Sequence, residues 1–236
     1  MVGDRRTMLI TGSRRGIGRA VARHYAECGD LVFGISRSES DFEHGNYRHL
    51  IADISDEAAV RAAVGRISAE AGRLDVLINN AGVRSSSYAL LATASQAREM
   101  LGTNLLGAFV ISREAIKVMR RRRFGRVISF SSVAVPLGSA GAALYGATKA
   151  GLAQLMYGLS VELSADDITC NTIGISSFED SGMVAALNEA ALRDAKQRLP
   201  KPAQLDISEI VHAIDFFASR EAKNITGQVL YFGGVR

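Results

Sequence analysis

The stretch Thr11-Gly12-Ser13-Arg14-Arg15-Gly16-Ile17-Gly18 follows the apolar run Met8–Thr11 directly and opens a helical pattern. No other feature narrows the fold as far. Glycines at these places permit a tight turn and let backbone N–H groups approach a pyrophosphate at a helix N-terminus. A glycine triplet alone can belong to any turn, and the strand-loop-helix setting is what gives this one meaning. The spacing is TGxxxGxG rather than the commoner GxGxxG.

The rest of the chain keeps the same rhythm. Strand-like runs at Leu31–Ile35, Tyr47–Ile51, Val76–Asn79, Arg126–Phe130, Ile168–Ile173 and Gln228–Tyr231 alternate with helical patterns near Gly18–Glu27, Glu57–Ala71, Ser95–Arg122, Leu144–Leu163, Met183–Arg198 and Ser208–Ala218. Such alternation predicts βαβ units and a parallel sheet covered on both faces. Right-handed crossovers wind it into a doubly wound α/β sheet that binds ligands beyond the carboxyl ends of its strands. No Pro- or Ser-rich linker interrupts the 236 residues, and the only prolines are Pro136, Pro200 and Pro202, so residues 1–236 read as one domain.

Charge and composition remove several function classes. The net charge is +4, and Arg120, Arg121, Arg122, Arg123 and Arg126 supply much of the excess. No aromatic-interleaved basic face or nucleic-acid motif accompanies them, so the run is expected to close a helix. Cys28 and Cys170 suggest no disulfide framework, and the histidines form no metal-binding pattern. The polar Met1–Arg6 and the lack of a long apolar run predict a soluble, cytoplasmic protein without membrane segments.

The acidic residue that would bind a free ribose 2′-hydroxyl is expected about 20 residues past the loop. Ser36 and Arg37 stand there instead. Arg15 and Arg37 either embrace a 2′-phosphate or are two solvated arginines, and Glu39 or Asp41 serves NAD if the loop bends. NADP(H) is the expected cofactor.

Tyr145 and Lys149, four apart at the start of a predicted helix, share one helical face. An ammonium beside a phenol favours the phenolate and lowers its pKa. Ser132, at the end of the fifth strand, places a hydroxyl where a substrate carbonyl could bond, while Ser131 points to the other side.

With these residues in place, the sequence resembles the short-chain dehydrogenase/reductase family over nearly its whole length. Further matching pieces are Asp53, Asn79-Asn80-Ala81-Gly82, Asn104, Thr226-Gly227-Gln228 and Gly233-Gly234. The resemblance implies a Rossmann domain with a seven-stranded parallel sheet ordered 3-2-1-4-5-6-7. It also implies Ser132, Tyr145, Lys149 and Asn104 as the catalytic group, with Asn104 holding a helix kink and a relay water. The implied cofactor residues are Gly12, Ser13, Arg14, Arg15, Gly16, Ile17, Gly18, Ser36, Arg37, Asp53, Ile54, Asn80, Ala81, Gly82, Tyr145, Lys149 and Ile175. A homotetramer or homodimer is expected from the resemblance alone.

The pattern departs from the family at Ile175-Ser176, which stand where Pro-Gly is usual, and Ser181 is the nearest substitute for a carboxamide-binding threonine. Substrate-facing segments are expected at Arg84–Leu91 and Phe178–Leu187, with Tyr88, Phe178 and Met183 beside Ser132 and Tyr145, and no carboxylate clamp is evident. The chain looks most like the 3-oxoacyl-carrier-protein reductases. In that branch basic residues near the mouth attract an acidic acyl carrier protein, and Arg123 and Arg126 are placed for this, although Asp166 and Asp167 weaken it. The expected activity is NADPH-dependent reduction of a ketone, foremost a 3-oxoacyl thioester. The alternatives are a sugar, steroid or secondary-metabolite ketone or alcohol, and a non-catalytic NADP-binding sensor or scaffold.

Overall fold

The computed structural model describes residues 5–85, 87–176, 197–201 and 204–235. Strands β1 (Thr7–Thr11), β2 (Leu31–Ser36), β3 (Tyr47–Ile51), β4 (Val76–Asn79), β5 (Phe124–Ser132), β6 (Asp167–Ile175) and β7 (Val229–Tyr231) form one sheet. All pairings are parallel, in the order β3-β2-β1-β4-β5-β6-β7. This is the architecture implied by the resemblance.

β1 and β4 are buried at every position, which explains why their sequences are apolar throughout rather than alternating. Side-chain alternation instead divides the core into two layers. Met8, Ile10, Val76, Ile78 and Phe130 pack with residues of α1 (Gly16–Glu27) and α7 (Ile207–Ala218). Leu9, Phe33, Leu77 and Val127 pack with residues of α2 (Glu57–Ala71), α4 (Ala108–Arg120) and α6 (Ala143–Glu162). Cys170 is buried in this second layer and Cys28 is exposed, each as a free thiol. No described helix is long and apolar enough to cross a membrane.

The helix expected over Ser95–Arg122 is not continuous. Helix α3 (Ala94–Leu101) passes through a π-helical turn, Gly102–Gly107, before α4 begins. Side-chain periodicity cannot reveal such a slip, because the turn is fixed by tertiary bonds from Asn104 and by Gly107, where a Cβ would press on Ile54. A short helix, α5 (Ala134–Leu137), also follows β5. The helix expected over Met183–Arg198 lies almost wholly outside the described residues.

The arginine run needs correction. Arg120 closes α4, but Arg123 takes a left-handed backbone conformation (φ 52°) at the turn into β5, and Arg126 lies within that strand. Arg126 is 0% exposed. Its Nη1 donates to the carbonyls of Gly125 and Asp167, both at 2.9 Å, its Nε donates to that of Ser219 at 3.0 Å, and the Asp167 carboxylate is 2.9 Å away. Six strand residues at about 3.3 Å each separate it from Ser132, roughly 20 Å. Arg123 and Arg126 therefore lie at the amino end of the sheet, not at the mouth of a ligand site. Asp166, paired there with Arg120 at 3.1 Å and Arg123 at 3.5 Å, has no bearing on that mouth either.

Candidate active site

A cavity of about 510 Å³ runs along the carboxyl ends of the strands, from the glycine loop to the start of α6. At one end Gly12 (φ 68°) and Gly16 (φ 57°) turn the loop through the left-handed region. The end of β4 clamps it. The Thr11 hydroxyl accepts from the N–H groups of Asn80 and Ala81 at 3.1 and 2.9 Å, and Asn80 Nδ2 donates to the carbonyls of Thr11 and Gly12 at 2.8 and 3.2 Å. Gly18 packs so closely beneath that a Cβ would overlap Asn80 and the Gly12 carbonyl. Helix α1 has no side-chain cap and no acid in its first turn, whereas Asp56 caps α2 and Asp206 caps α7. Its unsatisfied N–H groups and positive dipole end suit an anionic ligand.

Of the residues expected to hold a cofactor, Gly12, Arg14, Arg15, Gly16, Ile17, Ser36, Arg37, Asp53, Ile54, Asn80, Ala81, Gly82, Tyr145, Lys149 and Ile175 line this cavity. Gly18 and Ser13 do not. Ser13 is fully buried, 3.0 Å from the Tyr47 hydroxyl. That phenol donates to His49 Nδ1 at 2.8 Å, and His49 Nε2 donates to the Ser38 carbonyl at 3.0 Å and lies 3.0 Å from Ser36 Oγ. The chain of bonds joins the phosphate loop to the loop after β2 and sets the imidazole tautomer. Glu39 and Asp41 do not line the cavity, and Asp41 pairs with Arg19 at 2.7 Å. Burial opposes ionisation of Asp53, but hydrogen bonds from the Ser55 N–H and hydroxyl, helped by Arg37, hold its carboxyl below the usual range.

At the other end β5 delivers Ser132 while α6 delivers Tyr145 and Lys149. The Ser132 oxygen accepts from the Ala134 N–H at 3.1 Å, and Ser132 lines the cavity together with Tyr145. Ser131 turns the other way and donates to the Lys149 carbonyl at 3.1 Å. Lys149 Nζ donates to the Phe130 carbonyl at 2.7 Å, and burial pushes its ammonium down to about 8. Burial raises the Tyr145 phenol above its ordinary value, opposed first by the Arg84 guanidinium and then by Ser132. The sequence assigns that opposing charge to Lys149, but its Nζ lies 5.9 Å from the phenol ring centroid, whereas the Arg84 guanidinium carbon lies at 4.8 Å.

Asn104 is buried and does not line the cavity. Its Oδ1 accepts from the Val83 N–H at 2.8 Å, and its Nδ2 donates to the Val83 carbonyl at 2.9 Å and the Thr148 hydroxyl at 3.0 Å. The side chain thus braces α6 against the segment after β4. Tyr88 is 62% exposed and stands apart from the cavity lining. Phe178, Ser181 and Met183 lie outside the described residues. Ile175 and Ser176 both line the cavity. The Ile175 carbonyl accepts from the Val133 N–H at 3.0 Å, and the buried Ser176 hydroxyl has no hydrogen-bond partner among the described residues. An elongated ligand, anionic at the loop end and polar near Ser176, fits these groups.

Sequence reasoning gave no role to Tyr47, His49 and Thr148, and named Thr11 only as the first residue of the glycine loop and Arg84 only as the start of the substrate-facing segment Arg84–Leu91. Arg84 had a readable signal, since it stands two residues beyond Gly82, where the chain leaves β4 at its ligand-binding end.

The chain is similar over most of its length to known proteins. Residues 6–192 match the family described as short chain dehydrogenase. The chain is 33% identical over 232 residues to the 3-oxoacyl-[acyl-carrier-protein] reductase FabG of Escherichia coli (strain K12), covering 96% of this chain and 95% of that one. It is 31% identical over 229 residues to the 3-oxoacyl-[acyl-carrier-protein] reductase MabA of Mycobacterium avium, covering 97% and 89%. Among solved structures, ElxO with NADP bound superposes with a TM-score of 0.85 at 26% identity, covering 97% of each chain.

Proposed function

The chain belongs to the short-chain dehydrogenase/reductase family of oxidoreductases, and from that premise we propose that it reduces the ketone of a 3-oxoacyl thioester to a secondary alcohol with NADPH. One observation carries the reading: Ser132, Tyr145 and Lys149 converge at one end of a cavity whose other end is the uncapped α1 and its glycine loop.

The loop and α1 N-terminus hold the pyrophosphate, Arg15 and Arg37 the 2′-phosphate, Asp53 and Ile54 the adenosine, and Lys149 the nicotinamide ribose. NADPH, when bound, supplies the hydride. Ser132 donates a hydrogen bond to the substrate carbonyl and orients it. Tyr145, kept protonated by burial, gives its phenolic proton to that oxygen as negative charge develops. Lys149, whose ammonium titrates at about 8, is able to hold or release a proton near neutral pH and so to help restore the phenol. Asn104 positions α6 for this work. The relatives that carry the substrate assignment are named for 3-oxoacyl groups on a carrier protein. The same reading places the enzyme in the cytoplasm as a homodimer or homotetramer, with exposed Leu106, Tyr157 and Val161 at the subunit contacts.

The test is NADPH consumption with an acetoacetyl thioester, beside NADH and beside Tyr145→Phe. Tyr145-dependent turnover favouring NADPH is expected. Tight NADPH binding without turnover of any ketone overturns the reading.

A further inference from the structure

Arg84 stands where the chain enters the wall of the reaction end of the cavity, which it lines together with Ser132 and Tyr145. Its guanidinium carbon lies 4.8 Å from the centroid of the Tyr145 ring. Its Nε is buried and makes no hydrogen bond among the described residues. The influences on its ionisation are burial, which disfavours the charge, and the Tyr145 phenol. Glu99 shares this part of the cavity but forms no ion pair with Arg84. A half-buried cation with no counter-charge among the described residues is costly, and at a reaction centre it is a place for a ligand oxygen.

We propose that Arg84 determines specificity by donating hydrogen bonds to the C1 acyl oxygen of a 3-oxoacyl substrate, either a thioester carbonyl or the carboxylate of the free acid, while Ser132 and Tyr145 hold the oxygen at C3. The assignment rests on the proposed role of Tyr145 as proton donor to a ketone. In a 3-oxoacyl group the two oxygens are separated by two C–C bonds of about 1.5 Å and two C=O bonds of about 1.2 Å. A substrate whose C3 oxygen meets the Tyr145 hydroxyl therefore carries its C1 oxygen alongside the same ring, where the guanidinium sits. A plain ketone has no group for Arg84 and leaves the cation as it was. The planar fork of arginine suits both stacking on the ring and a two-point grip on an oxygen, which lysine reproduces only in part.

The experiment compares kcat and KM for acetoacetyl-N-acetylcysteamine, acetoacetate and butanone with NADPH, in wild type, Arg84→Met and Arg84→Lys. In Arg84→Met, kcat/KM on the acyl substrates falls about 10- to 100-fold further than on butanone, whose own smaller loss reports the change at the Tyr145 phenol, with partial recovery in Arg84→Lys. The larger loss on the thioester or on acetoacetate identifies which C1 oxygen is held. Unchanged melting temperature and NADPH fluorescence titration show that the variants are folded and loaded, and Arg84→Lys carries the test if Arg84→Met does not fold. Equal losses on all three substrates, or none, overturn the proposal and leave ketone reduction standing. A wild type that reduces butanone through Tyr145 but neither acyl substrate overturns the substrate class alone. A wild type inactive on all three overturns the underlying reading as well.

Discussion

Replacing Arg126 by methionine removes a side chain that is 0% exposed and keeps most of its length in the core. Three carbonyls, those of Gly125, Asp167 and Ser219, lose their donor, at about 1 kcal/mol or more each where water cannot replace it. Breaking a fully buried ion pair costs about 3–5 kcal/mol, but Asp167 is 38% exposed and water partly solvates the carboxylate left behind. Methionine also removes the desolvation penalty of the guanidinium. The net expectation is a loss of about 2–4 kcal/mol, or a melting temperature lower by about 10 °C for a chain of this size. Urea unfolding near neutral pH measures it, with the midpoint falling and the slope unchanged. Catalysis on a 3-oxoacyl substrate stays at the wild-type level at 25 °C, since the reaction end is roughly 20 Å away. A loss below about 1 kcal/mol refutes the reasoning from the buried network. Undiminished stability with weakened turnover of a carrier-linked substrate would return Arg126 to the mouth of the site.

Three other substitutions probe the site. Gly18→Ala forces Asn80 and the Gly12 carbonyl apart, and NADPH affinity by fluorescence titration should fall about 10-fold or more, in line with an overpacking cost of about 1–3 kcal/mol. Arg37→Ser should weaken NADPH by about 10- to 100-fold and leave NADH unchanged, because one charge-assisted contact is lost only for the phosphorylated ribose. Lys149→Met should abolish turnover yet stabilise the cofactor-free protein. Burial holds the folded Lys149 at about 8, so between there and the ordinary lysine range the unfolded chain carries more protons and wild-type stability rises with pH. Below that window the buried charge is a penalty that methionine removes, a gain of about 1–2 kcal/mol after the Phe130 carbonyl loses its donor. Urea unfolding at neutral and alkaline pH should show the gain shrinking as pH rises, and a gain constant with pH would refute it.

Much of this was legible because the signals are local. TGxxxGxG after a β-branched run, and Tyr145 and Lys149 four apart, announce themselves within a few residues, and the strand runs located the sheet to within a residue or two at β1 to β4. What escaped depends on distance in sequence. The π-helical turn at Asn104, where the resemblance implies a kink, is not readable from the residues of Ser95–Arg122 themselves, because bonds from Asn104 to Val83 and Thr148 fix it. Arg126 opens a strand in the sequence reading but is set at an exposed mouth because charge normally marks the surface, and only its carbonyl partners at Asp167 and Ser219 make its burial tolerable. Arg84 reads only as the start of a substrate-facing segment, since nothing near it in sequence shows that it faces Tyr145.

The bonded chain Ser13–Tyr47–His49–Ser36 has a consequence for anyone wishing to exchange the cofactor. It exists because β2 carries Gly34, where any Cβ would fall on the Ser13 and Tyr47 hydroxyls. The contour offered to the adenosine end is thus cast from behind, by a phenol and an imidazole on the neighbouring strand, and the arginines only furnish its surface. Swapping Arg37 for an acid repaints that surface on an unaltered mould. A substitution at Arg37 therefore changes which ribose is favoured while the contour behind it, set at positions 34, 47 and 49, stays as it is.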